Sequence, residues 1–200
     1  MISENSLTLS LELLFSKQHV QGVEWNFDTR ENEQVAKPVP LVASVKPYDV
    51  ETLRDHPGPF AVWRHQSSQM EFLATGDSVS TCPLKPQEWE VFTVVPLQVS
   101  QDDNIMWGPV GLVDMINSGG ALVQSNPLEE DRFFSTQTQA SCTSRGPGRF
   151  VAFTNRRPSS VCVNGKEIKF DHEKDTCELS FTLPVESEEG KHQILVEWNK

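Results

Sequence analysis

Carboxylates are the side chains of this sequence that could form a catalytic pair. Asp102 and Asp103 are adjacent in a polar segment, and a second acidic group near the C-terminus contains Glu186, Glu188 and Glu189. A retaining glycosidase needs two carboxylates that face each other across the scissile bond. Adjacent loop residues point apart and a charged turn is ordinarily solvated, so we interpret both groups as surface loops and assign no catalytic residue.

The histidines and serines lack the spacing of metal-binding or hydrolase motifs. No two histidines follow the His-x-x-x-His pattern, and none has a cysteine at ligand spacing; they are His19, His56, His65, His172 and His192. Zinc sites use such groupings. No Gly-x-Ser-x-Gly segment supplies the nucleophile turn of a serine hydrolase. The sequence therefore predicts neither a metal nor another cofactor.

The stretch WGPVGLVDMINSGGA, residues 107–121, is the nearest approach to a glycine-rich phosphate loop. It lacks both the Gly-x-Gly-x-x-Gly spacing and a closing Gly-Lys-Ser/Thr, which phosphate loops use to aim backbone amides at the ligand. We interpret it as a turn between strands. A helical turn is expected over residues 113–117, ending at Asn117 or Gly119 in the left-handed conformation.

Four arginines fall between Ser141 and Pro158 without one acidic residue, in an otherwise acidic chain: Arg145, Arg149, Arg156 and Arg157. One interpretation is a solvated strand edge, where charges discourage aggregation. The other hypothesis is a surface that docks on an acidic neighbouring domain. It predicts that Arg156→Glu and Arg157→Glu weaken the docking.

The tryptophans allow two functional interpretations. Large aromatic side chains dominate core burial, so core positions are the first interpretation. The ring of Trp63 or of another exposed aromatic residue could instead stack on a sugar and make the chain a carbohydrate-binding module. The residues concerned are Trp25, Trp63, Trp89, Trp107 and Trp198.

The cysteines do not form a disulfide or zinc pattern. They are Cys82, Cys142, Cys162 and Cys177, widely spaced and without a Cys-x-x-Cys pair. We expect free buried thiols in a reducing compartment. A disulfide between Cys162 and Cys177, which flank a predicted hairpin, is the alternative.

Composition limits the class of protein. The chain has 200 residues, 37% of them hydrophobic, enough for one sizeable core or two small ones. Its formal net charge of −11 repels a phosphate backbone, so we expect no nucleic-acid partner. No apolar run suits a membrane span, and residues 7–15 lack the features of a signal peptide. We therefore expect a cytoplasmic protein.

Short runs rich in Val, Phe, Trp and Thr recur along the chain, each bounded by Pro, Gly, Asn or Asp, as is typical of consecutive antiparallel strands. Asn164-Gly165 gives the clearest hairpin signal, because a type I′ turn needs two positive φ angles. Residues 49–54 could form one helical turn capped by Asp49. The predicted fold is all-β, an antiparallel β-sandwich with few or no helices.

Four segments together resemble the C-terminal part of the raffinose synthase and alkaline α-galactosidase family, the seed imbibition proteins, in a glycoside hydrolase clan. They are EWEVFTVVPL at 88–97, WGPVGLVDMINSGGA at 107–121, GPGRFVAFTNRRP at 146–158 and VNGKEIKF at 163–170. They keep the family's order and spacing, which is more specific than any one motif. GVEWNF at 22–27 is similar more weakly, and residues 1–20 stay unplaced.

The resemblance implies a parent enzyme with an N-terminal β-rich domain, a catalytic (β/α)₈ barrel and a C-terminal β-sandwich. Such an enzyme hydrolyses or transfers α-galactosyl groups with one aspartate as nucleophile and another as acid/base. Residues 21–200 would be the sandwich. The family's nucleophile lies in a Lys-x-Asp motif, and Lys169-Phe170-Asp171 matches that string. Because it sits on a hairpin arm without a parallel βα repeat, we carry no catalytic role over.

Two hypotheses follow for function. The first is an accessory sandwich domain, inactive alone, that buries an apolar face against the catalytic barrel in the same chain or in trans. A detached domain of this kind should expose an apolar patch. The second is a free-standing carbohydrate-binding module whose partner is an oligosaccharide. The departures Trp107-Gly108 and Phe153 from the family pattern leave the substrate open.

Overall fold

The structure, a computed structural model, describes residues 10–12, 23–34, 42–80, 83–84, 88–100, 103–130, 137–185 and 190–199. These residues form short strands and 3₁₀ turns, and none of them builds a helix long and apolar enough to cross a membrane. The 3₁₀ helices are Pro47–Asp49, Glu51–Leu53 and Ser118–Ala121. The strands are β1 Ser10–Glu12, β2 Val23–Asn26, β3 Glu31–Gln34, β4 Ser44–Val45, β5 Phe60–Arg64, β6 Gln69–Leu73, β7 Val79–Ser80, β8 Phe92–Pro96, β9 Gln98–Val99, β10 Met106–Leu112, β11 Leu122–Ser125, β12 Glu129–Glu130, β13 Gln137–Arg145, β14 Gly148–Thr154, β15 Ser160–Val163, β16 Lys166–Glu167, β17 Asp171–Glu173, β18 Glu178–Leu183 and β19 Lys191–Asn199.

Three sheets organise these strands. Sheet I has the order β1-β8-β5-β6, sheet II β17-β18-β14-β10-β9, and sheet III β11-β13-β19-β15-β16 with β12 on β13. Two separate pairs, β2-β3 and β4-β7, complete the arrangement. Every pairing is antiparallel. The prediction of an all-β antiparallel fold is confirmed.

Sheets II and III share one core between their facing sides. Phe150 of β14 and Trp107 of β10 meet Val196 and Trp198 of β19 there. The two indole rings contact edge to face, with centroids 5.7 Å apart, a favourable geometry for aromatic rings. This stacking of two sheets on one core is the packing that the sequence predicts.

Sheet I covers the other face of sheet II, which the sequence does not indicate. Alternate residues of β14 enter different cores: Phe150 points to sheet III, whereas Val151 and Phe153 pack with Ala61 and Trp63 of sheet I. Side chains of a strand alternate between faces, so a strand covered on both sides is apolar at every position. The continuous burial of β5, β8 and most of β14 follows from this position.

The far face of sheet I is closed by the chain around the first two 3₁₀ helices. Val62 and Phe92 of the sheet pack with Val50 and Leu53. The Asp49 carboxylate accepts a hydrogen bond from the Lys46 backbone N–H at 2.8 Å. Asp49 thus stabilises the start of Pro47–Asp49 and is not the cap of the turn predicted over residues 49–54.

The predicted hairpin at Asn164-Gly165 is confirmed. It joins β15 to β16, and the two residues have φ angles of 51° and 74°. A type I′ turn needs positive φ at both central positions, which asparagine and glycine adopt at the least cost.

Candidate functional site

Gly111 determines the turn that follows β10. Its φ is +107°, and a Cβ atom built on it would lie 2.2 Å from the Ser118 carbonyl oxygen. The register of β10 against β14 also shifts between Pro109 and Gly111, as at a β-bulge. Glycine lets the returning backbone approach the strand this closely. Residues 113–117 therefore form a tight loop, here called the 113–117 loop.

Asn117 closes the loop and starts the helix Ser118–Ala121. Its side-chain oxygen accepts a hydrogen bond from the Gly120 N–H at 3.0 Å. A Cβ on Gly120 would lie 2.4 Å from Asn117 Nδ2. The expected helical turn over residues 113–117 is wrong, because Asn117, at φ −91°, is the N-cap of the next helix and not a left-handed end.

Ser118 belongs to a chain of polar groups that joins this turn to sheet I. Its Oγ lies 3.0 Å from Thr93 Oγ1 on β8, and Thr93 Oγ1 lies 3.0 Å from His65 Nε2. Ser118 and Thr93 are buried, and His65 is half-buried. Burial lowers the pKa of His65, and the nearby Glu90 carboxylate opposes that shift. The turn is thus tied to a strand of another sheet.

This network of hydrogen bonds contains a serine and a histidine, as the catalytic triad of a hydrolase does, but it lacks the geometry of a triad. The Thr93 hydroxyl stands between Ser118 and His65. Ser118 is also fully buried. A nucleophile must bond directly to its base and reach the substrate. This network therefore positions the turn, and the Ser118 hydroxyl has neither the direct contact with a base nor the exposure of a nucleophile.

Arg149 fixes the other end of the loop. Its backbone N–H donates to Asp114 Oδ2 at 2.8 Å, and its carbonyl accepts from the Val113 N–H at 3.0 Å. Its guanidinium pairs with Glu178 at 2.7 Å and lies over the Trp63 ring, 5.9 Å from the centroid. Both ends of the 113–117 loop are therefore held by hydrogen bonds to other elements.

The middle of the loop presents two large apolar side chains to solvent. Met115 is 41% exposed and Ile116 53% exposed. A segment already held in place loses little conformational entropy when it binds, so its apolar groups are well suited to an interface. The interpretation of residues 107–121 as a turn is confirmed, but sequence reasoning missed this surface. The available signal was the apolar pair between Asp114 and Asn117.

The prediction of Trp63 as a sugar-stacking platform is wrong. Trp63 is 1% exposed, because β5 lies in a sheet covered on both faces. Trp107 and Trp198 are buried in the core between sheets II and III, as the first interpretation predicts. Trp25 and Trp89 are 48% and 38% exposed, on β2 and just before β8.

The four arginines contact other parts of the same chain or lie on separate sheets. Arg156 donates to the Asn199 carbonyl at 2.6 Å, and the Arg157 guanidinium lies 4.9 Å from the Phe170 ring centroid. Arg145 is on β13 of sheet III, whereas Arg149 is on β14 of sheet II. Their role in docking on an acidic domain stays a prediction.

Among the acidic candidates, the structure describes Asp103 and Asp171. Asp103 accepts a hydrogen bond from the Thr138 hydroxyl at 2.5 Å, whereas Asp102 and the glutamates at 186–189 lie outside the described residues. Asp171 of the Lys-x-Asp string is exposed at the start of β17, the outer strand of antiparallel sheet II. Within the described ranges, no group of three His, Cys, Asp or Glu residues could hold a metal ion.

The cysteines that the structure describes are free thiols. The alternative of a disulfide between Cys162 and Cys177 is wrong, because Cys162 lies on sheet III while Cys177 packs beside the core between sheets I and II. Cys142 is buried, and burial raises the pKa of its thiol to about 12. Cys82 lies outside the described residues.

Comparison with known families gives a match over most of the chain. The family model described as raffinose synthase or seed imbibition protein Sip1 matches residues 15–183. The chain belongs to this family. The matched range contains the 113–117 loop together with Thr93, Ser118 and Arg149.

Curated relatives carry galactosyltransferase names. The chain is 33% identical over 133 residues to a probable galactinol–sucrose galactosyltransferase 1 of Arabidopsis thaliana, covering 66% of this chain and 17% of the relative. It is 31% identical over 158 residues to a galactinol–sucrose galactosyltransferase of Oryza sativa, covering 76% and 20%. A Pisum sativum protein of that name is 30% identical over 175 residues, covering 84% and 21%. The raffinose synthase family chain thus spans about a fifth of these relatives.

Proposed function

We propose that this chain is the accessory β-domain of a raffinose-synthase-like galactosyltransferase or α-galactosidase. In this proposal it docks on the catalytic barrel and has no galactosyl-transfer activity alone. The galactosyltransferase names of the relatives, and the share of each relative that the chain spans, support this. We also propose a cytoplasmic location, which the free thiols support.

The observation that carries the docking role is the 113–117 loop. Its exposed Met115 and Ile116 stand between two anchored ends, formed by the Asp114–Arg149 and Ser118–Thr93 hydrogen bonds. Full burial of such a side chain contributes about 1.5–3 kcal/mol relative to solvent. Two of them on a preformed loop can anchor an interface, and the partner surface that they fit is apolar.

The experiment compares the 200-residue chain with the longest polypeptide encoded at the same locus. Both are assayed for galactosyl transfer from galactinol to sucrose and for galactose release from raffinose. The short chain should be inactive and the longer one active. Met115→Glu with Ile116→Glu should lower the thermal midpoint and the activity of the longer polypeptide, because two charges would be buried at the interface.

The same double substitution should leave the stability of the short chain within about 0.5 kcal/mol, because both positions are exposed there. Val123→Glu, at another exposed apolar position, is the matched control. Activity in the short chain would contradict the accessory role. Equal effects of the double substitution and of Val123→Glu in the longer polypeptide would contradict the proposal that the 113–117 loop lies at the interface.

A further inference from the structure

The outer face of sheet III carries an open groove of about 450 Å³. Its floor is formed by three neighbouring strands, β13, β19 and β15, through Ser141, Thr143, Gln193, Leu195 and Cys162. Gln124 and Asn126 of the chain at β11 form one wall, and Gly165 of the β15-β16 turn lies on the other side. Adjacent strands are about 4.8 Å apart, so β11 and β15, at the two sides of the groove, are separated by about 14 Å.

The side chains that line the groove on these three strands are neutral: Ser141, Thr143, Cys162, Gln193 and Leu195. The charged outward residues of β13 and β19 lie beyond the groove, Arg145 and Lys191 past one end and Glu197 past the other. Solvated protein surfaces usually carry many Lys and Glu residues, and the lining of the groove is rich in amides and hydroxyls instead. Such groups both donate and accept hydrogen bonds, as the hydroxyls of a neutral sugar do.

The polar groups of the groove are held in fixed orientations. Gln124 Nε2 donates to Asn126 Oδ1 at 2.8 Å, and Asn126 Nδ2 donates to Ser141 Oγ at 2.9 Å. At the opposite wall, Asn164 Oδ1 accepts from the Gln193 N–H at 2.8 Å. An amide has two donor hydrogens and two acceptor lone pairs, so each bond described leaves capacity for a ligand. Preorganised groups of this kind bind at a lower entropic cost.

Glu197 follows Leu195 by two residues on the same face of β19, and its side chain is also held by hydrogen bonds. Its carboxylate accepts from Ser160 Oγ at 2.6 Å and from Gln139 Nε2 at 3.2 Å. Burial, with the negative charges of Glu197 and Glu167, raises the pKa of the Cys162 thiol, so the floor of the groove stays uncharged there. Glu197 and Glu167 therefore disfavour an anionic ligand at the Cys162 end of the groove.

We infer that this groove is a binding site for a neutral oligosaccharide. The amides of Asn126 and Gln193 and the hydroxyl of Thr143 would bond to sugar hydroxyls, and Leu195 with Cys162 would contact an apolar sugar face. The site differs from the aromatic platform that the sequence suggested at Trp63. It lies on sheet III, whereas the 113–117 loop bridges sheets I and II, so either role can fail without the other.

The test is a titration of the full 200-residue chain with raffinose and with stachyose, followed by backbone amide NMR shifts. Saturable shifts should cluster at residues 124–126, 141–143, 162–165 and 193–195, with dissociation constants of about 1 mM. Gluconate, an anionic polyol, should cause none. Gln193→Leu and Thr143→Leu should each weaken binding about tenfold, because one removes an amide and the other fills the groove.

The matched control is Gln69→Leu, an exposed glutamine on β6 of sheet I. It should leave the dissociation constant unchanged, and equal thermal midpoints of all variants would show that they fold. The inference is overturned by the absence of saturable shifts at tens of millimolar sugar, or by groove variants that bind as the control does. Concentration-dependent shifts at the same residues without sugar would also overturn it, by showing a second copy of the chain in the groove.

Discussion

The hydroxyls of Ser118 and Thr93 lie 3.0 Å apart where the turn after β10 meets β8 of the neighbouring sheet. Both residues are buried, so neither hydroxyl can exchange this partner for bulk water. A buried polar group left without a partner costs its desolvation free energy. The pair therefore links two sheets at a position that apolar packing alone would not fix.

Thr93→Val should lower the free energy of unfolding by about 1–3 kcal/mol, because it leaves the buried Ser118 hydroxyl without this bond. Ser118→Ala should also destabilise the chain, but the double variant should cost less than the sum of the two. Urea denaturation of the four proteins measures this coupling. Thr182→Val, at an exposed position of β18, is the control and should stay within about 0.5 kcal/mol. Strict additivity would show that the pair is not coupled.

The variants Gly111→Ala and Gly165→Ala separate two effects of adding a Cβ atom. One is a clash with neighbouring backbone, and the other is the cost of a positive φ angle. Both glycines have positive φ, but a Cβ on Gly111 meets the Ser118 carbonyl oxygen at 2.2 Å, whereas nothing lies within 4 Å of one on Gly165. Gly165→Ala should cost about 1–2 kcal/mol, the price of a left-handed residue with a Cβ. Gly111→Ala should cost about 3 kcal/mol or more, because backbone must move. Thermal unfolding distinguishes the two, and equal losses would contradict the role given to the turn.

The strands could be predicted because their signals are local. In β19, His192, Ile194, Val196 and Trp198 are buried in alternation with more exposed neighbours, as one-sided burial requires. The Asn164-Gly165 turn is encoded by two residues that accept positive φ. Both features can be read from a few consecutive residues.

The third layer and the 113–117 loop could not be predicted, because their causes are distant in sequence. Trp63 is buried by residues of sheet II that follow it by dozens of positions, so its own strand does not show which side is covered. Ser118 finds its partner Thr93 on another sheet, and Met115 and Ile116 are exposed because that contact holds the turn outside the core. The neutral lining of the groove on sheet III appears only when β13, β15 and β19 are placed side by side.

Cys142 should resist alkylation in the folded chain. It is buried in the core between sheets II and III, and burial raises the pKa of its thiol to about 12, so almost no thiolate forms near pH 8. Iodoacetamide treatment followed by peptide mass mapping should leave Cys142 unmodified under native conditions and label it in urea. Cys162, which is only half-buried, provides the internal comparison and should react faster. Equal labelling of both under native conditions would contradict the packing described for β13.

His192 should make the chain less stable in mild acid. It is fully buried opposite Ser144, and neither its Nε2 nor the Ser144 hydroxyl has a hydrogen-bond partner among the described residues. Burial lowers the pKa of His192 below its ordinary 6.5, so between the two values the unfolded chain binds more protons than the folded one. The stability is therefore full above pH 6.5 and is lost as the pH falls through the folded pKa.

The lowered pKa values of His56 and His65 act in the same direction, so the free energy of unfolding should fall steadily below pH 6.5. His192→Leu fills the site with an apolar side chain and should reduce that slope by at most about 1.4 kcal/mol per pH unit, the value for one proton. Urea unfolding at a series of pH values measures both slopes. His56→Gln, which alters a partly exposed histidine, should leave the contribution of His192 in place. An identical slope in the His192→Leu and native chains would show that His192 takes up no additional proton on unfolding.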